Sequence, residues 1–455
     1  MASGSSGSRQ RSFEDWDALR EAAGVPKRGG HPSQFETGVA VPAWMEEALA
    51  APNGGNLPES DGVFSRGGLQ LHYRKWLPPD PAPRPRGAVV FQHGMGSHAN
   101  APALSRLGRA FAEAGLGCYM LDLQAHGYSE SHGPPVQCVL DYNDMIADME
   151  RLVEIVVGEL GAEVRLFVAG ESLGGALAAL LSLRMQQPSH PHHQQWAGFL
   201  GIAPAFDPAL PPRLVETVLR CCCLPCCPRS TALSPPASGK GEGEEGPAGA
   251  MVLEACRQLI EDADPLSWKE KFPLVTGGTF IDLCREIKTG AHTLAGPFRI
   301  LHGADDCVVF PSGSQQLIER SAYVAAELAA GRQNPVMMLP EGYRHCLLQD
   351  WCADAVVEEC VAWCTEQLAA SEPEPEQEHG SNDDAAKAAR KADLAAQLSG
   401  IRSGELDPQA HPETLKTAKN AALAVQLEAI RAGDTEALAA TTAAAMDVAP
   451  TAERP

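Results

Sequence analysis

The chain has 455 residues and a hydrophobic content of 44%, enough for a sizeable core and more than one ordinary domain. Its formal net charge of −22 excludes a general nucleic-acid surface and opposes attraction to anionic lipid headgroups. No apolar run reaches the roughly 18 residues of a membrane span.

Residues 1–55 are a polar extension with Gly, Ser and Pro clusters and one expected short helix over 13–23. The opening Met-Ala-Ser-Gly-Ser-Ser-Gly-Ser lacks the apolar stretch of a signal peptide, so a cytoplasmic, reducing setting is expected. Paired strands are expected at 62–65 and 69–76, then a Pro-rich connector at 78–85. From Gly87 onward strands and helices alternate: strands at 88–92, 117–122, 164–169 and 196–203, helices at 103–114, 141–158 and 173–185. Met145, Met149, Leu152, Val153 and Val156 share one helical face and read as core. Such alternation predicts an α/β fold with a mostly parallel central sheet and helices on both faces. The first part of that core is 56–204. An insertion over 205–296, where the rhythm lapses, is expected to form a cap. The second part is 297–370, with strands at 298–302 and 335–339.

The strongest local pattern is Gly170-Glu-Ser-Leu-Gly-Gly175 between a strand and a small-residue helix. G-x-S-x-G in that setting is a nucleophile elbow, with Ser172 on a sharp turn. Side chains at Gly170 and Gly174 are expected to collide across so tight a bend. A Ser hydroxyl needs a base to take its proton and a group to orient that base. Both partners are expected later in the chain, just past strand ends. Asp305 and Asp306 follow the strand ending at His302-Gly303, and His345 follows the strand 335–339. Residue types alone leave the choice between the two aspartates open. A fourth piece is His93-Gly-Met-Gly-Ser-His98 after the strand 88–92, a loop able to supply a backbone donor. The expected oxyanion donors are the amides of Met95 and Leu173.

These segments resemble the monoacylglycerol lipase and lysophospholipase branch of the α/β-hydrolases, especially its plant-type members. The matching pieces are Phe91–His98, Leu121-Asp-Leu-Gln-Ala-His-Gly-Tyr-Ser-Glu130, Gly170–Gly175, Leu301-His-Gly-Ala-Asp-Asp306 and Gly342-Tyr-Arg-His345. Asp264-Pro-Leu-Ser-Trp-Lys-Glu-Lys-Phe-Pro273 is similar, more weakly, to the run that closes the cap in that family. The resemblance covers about 56–370. It implies an α/β-hydrolase fold and a serine esterase acting on a single-acyl-chain lipid, a monoacylglycerol or lysophospholipid, with no cofactor or metal. It aligns Asp306 and Pro311 with the family's His-Gly-x-x-Asp and following Pro, which assigns Asp306 as the triad acid. The same triad also fits an acyltransferase or a thioesterase. A non-catalytic ligand-binding protein on this fold is the remaining alternative.

Inside the insertion, Cys221, Cys222, Cys223, Cys226 and Cys227 crowd into one short run. That is not the spacing of a disulfide framework. Three readings stay open: reversible S-acylation, a soft-metal site at Cys223-Leu-Pro-Cys226, or no role. Leu214, Val215, Val218, Leu219 and Leu224 supply an expected apolar face beside the thiols. That combination suggests peripheral contact of the cap with a membrane or lipid droplet. Residues 234–249, rich in Gly, Pro, Ser and Glu, read as a loop. Cys307 and Cys346 adjoin Asp306 and His345 and are expected to be buried, inert thiols, with inhibition by thiol reagents the alternative. The tail, 371–455, opens with an acidic linker and carries two similar stretches at 397–404 and 426–433, each following an Ala/Leu-rich helical run and ending at Gly, a candidate surface for an unidentified protein.

Overall fold

The computed structural model describes residues 60–371, apart from 80–83, 135–136, 209–212, 234–263, 265, 269–270 and 351. The expected helix over 13–23, the loop over 234–249 and the paired stretches of the tail lie outside the described residues.

Eight strands form one sheet: β1 (Ser60–Arg66), β2 (Leu69–Trp76), β3 (Gly87–Gln92), β4 (Gly117–Leu121), β5 (Arg165–Glu171), β6 (Trp196–Ile202), β9 (Phe298–Gly303) and β10 (Val336–Leu339). Their order is β1-β2-β4-β3-β5-β6-β9-β10. A Gly67-Gly68 turn with both φ angles positive, +60° and +81°, joins β1 to β2. That twist suits a two-residue hairpin. β2 is antiparallel to β4, and every pairing from β4 to β10 is parallel. Every residue of β3, β4, β6 and β9 is buried, as expected for strands covered on both faces.

The covering helices fall on two sides. Helices α1 (Pro102–Glu113) and α8 (Ala353–Ser371) bury Leu104, Leu107, Phe111, Val356, Cys360 and Trp363 in one apolar cluster. On the other side, α2 (Tyr142–Leu160) and α3 (Ser172–Met185) bury Met145, Met149, Leu152, Leu177 and Leu181 in a second. The Asp141 carboxylate caps α2 by accepting from Asn143 N–H. Helix α3 is buried nearly all round by Leu173, Gly174, Gly175, Ala176, Ala178 and Ala179. Small side chains let it lie close on β5 and β6, and such a helix has no amphipathic pattern.

The insertion leaves the carboxyl end of β6. It contains α4 (Arg213–Val218), a π-helical turn (Leu219–Cys223), a further helical turn (Leu224–Cys226) and strand β7 (Thr231–Leu233). β7 pairs antiparallel with β8 (Phe272–Pro273). Helix α5 (Leu274–Gly290) follows, and it belongs to the core: Phe280, Leu283, Cys284 and Ile287 join the cluster of α2 and α3. The stretch expected as cap, 205–296, therefore includes a core helix. Its Thr-Gly-Gly-Thr run at 276–279 conceals the helical period in sequence, yet all four residues are buried. The expected apolar face beside the thiols is also revised. Leu224 packs on Leu274 and Ile281 of α5, while Val218 is exposed; the side chains of Leu214, Val215 and Leu219 lie outside the described residues.

Helices α6 (Ser312–Arg320) and α7 (Ala322–Ala329) separate β9 from β10. Arg299 on β9 and Glu359 on α8, both almost wholly buried, form an ion pair at 2.5 Å that ties the strand leading to Asp306 to α8. Pairing is what allows two charges at that depth. No helix among the described residues is long and apolar enough to cross a membrane.

Candidate active site

Ser172 is the first residue of α3 and has φ +51°, a left-handed conformation rare for a side chain larger than Gly. That turn is feasible because its flanks are bare. A Cβ at Gly170 would fall 2.4 Å from Gly174 O, and one at Gly174 would fall 2.2 Å from Gln92 O and 2.4 Å from His93 O. The second approach holds the loop after β3, His93–His98, against the elbow. A Cβ at Gly94 would stand 3.4 Å from Ser172 Cβ.

Ser172 Oγ donates to His345 Nε2 at 2.9 Å, and His345 Nδ1 donates to Asp306 Oδ2 at 2.7 Å. The structure thus brings together three residues spread over 173 positions. Asp306 is well supplied with donors. Its Oδ1 accepts from Val308 N–H and Val309 N–H, each at 2.9 Å. Burial pushes its carboxyl upward, but hydrogen bonds from His302 and His345 outweigh that and hold it well below the usual carboxylate range. Asp305 has a different place. Its Oδ2 accepts from Gly342 N–H at 2.8 Å and its own N–H donates to Tyr343 O at 3.0 Å, tying the Asp306 turn to the loop that carries His345.

His302 was not singled out from sequence, and the structure makes it a neighbour of the site. It is wholly buried, with Nε2 3.2 Å from Asp306 Oδ2 and 3.0 Å from Val309 O. Two acceptors facing Nε2 require a proton there. Nδ1 lies 2.7 Å from Ser314 Oγ. His302 and His345 therefore flank the same carboxylate oxygen. The sequence signal was the His-Gly at the end of β9, which reads equally well as a buried strand end.

The loop after β3, the candidate source of an oxyanion donor, is held in a definite orientation. Leu123 N–H donates to His93 Nε2 at 3.1 Å, so the proton of His93 resides on Nδ1 and is donated to Gly94 O at 2.8 Å. Ser97 N–H donates to the same oxygen at 3.3 Å. With Gly94 C=O held there, the N–H of Met95 points to the opposite side of that planar peptide. Burial pushes the His93 imidazole down to about 4, so this neutral tether persists at neutral pH. Met95 itself is half-buried and packs on the core, and Leu173 is buried at the start of α3.

The segment that closes the insertion clamps this loop from outside. His98 Nε2 lies 2.6 Å from Asp264 Oδ2 in a buried pair. Trp268 N–H donates to Gly96 O at 2.9 Å, its Nε1–H donates to Ala125 O at 2.9 Å, and its ring stacks on His126 with centroids 4.1 Å apart. Gly96, at φ +77°, leaves room for Trp268, whose Cβ would be 3.2 Å from a Cβ there. Asp122 braces the loop from below, accepting from Ala99 N–H at 2.7 Å and Tyr128 N–H at 3.0 Å, with His72 Nδ1 at 2.8 Å.

The two thiols beside the site differ from expectation. Cys307 is exposed and Cys346 is half-buried. Among the described residues no group of three His, Cys, Asp or Glu side chains is arranged to hold a metal ion.

Comparison with known proteins bears on what this arrangement belongs to. The family described as serine aminopeptidase, S33, matches residues 83–331, more than half of the chain. The chain belongs to this family of hydrolases. A monoacylglycerol lipase of Mycolicibacterium smegmatis is 27% identical over 256 residues, which cover 56% of this hydrolase and 82% of the relative. A putative monoglyceride lipase of Schizosaccharomyces pombe is 29% identical over 135 residues, 30% of this chain and 32% of the relative. Among solved structures, a soluble variant of monoglyceride lipase from Saccharomyces cerevisiae aligns over 69% of this hydrolase and 96% of its own chain. Its TM-score is 0.52 at 17% identity, and that likeness establishes the α/β-hydrolase fold.

Proposed function

We propose that this hydrolase cleaves the ester of a monoacylglycerol or a lysophospholipid through an acyl-enzyme on Ser172. The chain is a carboxylic ester hydrolase of the α/β-hydrolase fold, and the lipase relatives support an acyl lipid as its substrate. The observation that carries the finer reading is the unbroken relay from Ser172 Oγ to His345 Nε2 and from His345 Nδ1 to Asp306 Oδ2.

In this reading Ser172 Oγ attacks the ester carbonyl as His345 Nε2 takes its proton. Asp306 holds the imidazole in the right tautomer and stabilises the imidazolium that forms. The carbonyl oxygen becomes an oxyanion on the amides of Met95 and Leu173, each such donor contributing about 3 kcal/mol of transition-state stabilisation. His345 returns its proton to the leaving alcohol. Water then attacks the acyl-enzyme with His345 again as base, releasing a fatty acid and free Ser172. The substrate class comes from the two lipase relatives. Acyl-chain selection would then work by burial, at about 0.8 kcal/mol per methylene.

The test is covalent labelling. A fluorophosphonate should modify folded protein at one site, mapped to Ser172, and labelling should vanish in Ser172→Ala. Labelling elsewhere, or none in folded protein, would contradict the nucleophile and return the chain to the ligand-binding alternative.

A further inference from the structure

The five cysteines of the insertion do not behave alike in the fold. Cys221, Cys222, Cys226 and Cys227 are exposed, whereas Cys223 turns toward α5 and packs with Leu224 against Leu274 and Ile281. Cys118, Cys138, Cys284, Cys352, Cys360 and Cys364 are all buried. Apart from Cys307 beside the site, the exposed thiols of the described residues are therefore gathered on one short helical run.

The charged groups of that run are already engaged. Arg220 bonds Glu216 at 2.8 Å and Asp282 of α5 at 2.6 Å, and Arg285 of α5 reaches the other oxygen of Glu216. Arg229 donates to the carbonyls of His132 and Pro134. The four thiols face solvent together with Val218, which is 49% exposed, and with Thr217, Pro225, Pro228, Arg229 and Ser230. A soft-metal site needs converging ligands, and none of three or more is formed among the described residues.

We propose that Cys221, Cys222, Cys226 and Cys227 are sites of reversible S-acylation by long-chain acyl groups, which tether the insertion to a membrane. In the step, a cysteine sulfur attacks the carbonyl of a long-chain acyl-CoA, delivered by a membrane acyltransferase. A C–S thioester bond forms, the bond to CoA sulfur breaks, and the cysteine proton ends on the CoA thiol. No electron is transferred.

Physical chemistry explains why a cluster is useful. One acyl chain gives only marginal, reversible membrane binding, and stable anchoring takes a second signal. The usual second signal is a polybasic patch. A chain of net charge −22 is poorly placed to supply one. Two or more acyl groups from adjacent thiols meet the need without it. The tether lies on the segment leaving the carboxyl end of β6, the end of the sheet at which Ser172 emerges from β5. A lipid substrate would then reach the site from the surface that holds the protein.

The test is made on the full chain expressed in a eukaryotic host and separated into membrane and supernatant fractions. The tryptic peptide Cys221–Arg229 from the membrane fraction should carry acyl mass on two or more thiols, removed by neutral hydroxylamine. The quadruple variant Cys221→Ser, Cys222→Ser, Cys226→Ser, Cys227→Ser should lower the membrane-to-supernatant ratio by about tenfold or more. Its hydrolysis of detergent-dispersed ester should be unchanged, and that also shows it is folded. Cys223→Ser alone should partition like the native chain. An unmodified peptide from membrane-bound protein would overturn the proposal, as would stoichiometric zinc on that peptide region without acyl mass. The readouts are mass and partition, so they stand apart from the fate of the Ser172 reading.

Discussion

His302 provides the sharpest test of how the site is held. Its Nε2–H is 3.2 Å from the Asp306 oxygen that also receives His345 Nδ1–H at 2.7 Å. His302→Leu removes that donor and keeps an apolar side chain of similar bulk in a fully buried position. Hydrogen bonds to charged groups contribute roughly 1.5–3 kcal/mol. Two consequences follow. With one donor fewer, the Asp306 carboxylate offers more of its charge to His345 and favours the imidazolium, so the acid limb of the kcat/KM profile should differ from the native one, moving toward higher pH. The carboxylate also gains rotational freedom, so kcat should fall by about tenfold with KM little changed. His302→Gln places an amide N–H near the position of Nε2 and should restore most of both. The assay is hydrolysis of a soluble p-nitrophenyl ester across pH 5–9 with all three proteins, each checked for a native melting transition. A pH profile for His302→Leu that superposes on the native one, with kcat within about twofold, would refute the positioning role and leave His302 as packing.

The remaining predictions concern the scaffold. Gly174→Ala drives a Cβ to 2.2 Å from Gln92 O, so α3 must move off β3; a drop in melting temperature corresponding to about 1–3 kcal/mol and a large loss of fluorophosphonate labelling are expected. Asp148 is wholly buried beside Gln124 and Arg66, and burial pushes its carboxyl up to about 6 despite both partners. An acid raised on folding costs stability as pH rises from about 4 to 6 and the full cost is present above that. Asp148→Asn should therefore melt higher than the native chain at pH 8, by on the order of 3 kcal/mol, with the gain vanishing at pH 4. Asp264 shows the opposite sign. Burial raises it, but His98 outweighs burial and lowers it, so its stabilisation is present at neutral pH and is lost as pH falls through the carboxylate range. Asp264→Asn should lower the melting temperature at pH 7 more than at pH 3, and thermal melts at the two pH values decide it.

Much of the catalytic half of the fold was readable because its parallel strands are short, largely apolar runs. β3, β5, β6 and β9 stand within a residue or two of their expected ends. Residues 170–175 carried the elbow because the turn can be made only where Gly170 and Gly174 are bare. Less was legible where tertiary contacts override local pattern. Helix α5 hides behind Thr276-Gly-Gly-Thr279, whose glycines lie close to Leu224, Leu233 and Phe272 and whose threonines bond the backbone of Gln137, Val139 and Tyr142, contacts that compensate its poor propensity. Helices α6, α7 and α8 went unplaced, α8 having Cys352, Cys360 and Cys364 in and around its buried side, residues that sequence reading treats as chemistry first. At the site, the His93 tether and the clamp made by Asp264 and Trp268 act through partners distant in sequence, His98 and Asp264 being 166 positions apart, and no local spacing reveals such pairs. The exposure of Cys307 was misjudged because adjacency to Asp306 in sequence does not tell whether a side chain is buried.

The most direct test of the account is release of fatty acid from monooleoylglycerol by the purified full chain, measured beside lysophosphatidylcholine, a long-chain acyl-CoA and a short p-nitrophenyl ester, with Ser172→Ala as control. The account predicts preference for monooleoylglycerol or the lysolipid, with turnover falling by several orders of magnitude in the variant. Turnover of the acyl-CoA or the short ester alone, or lipid hydrolysis that survives Ser172→Ala, would contradict it.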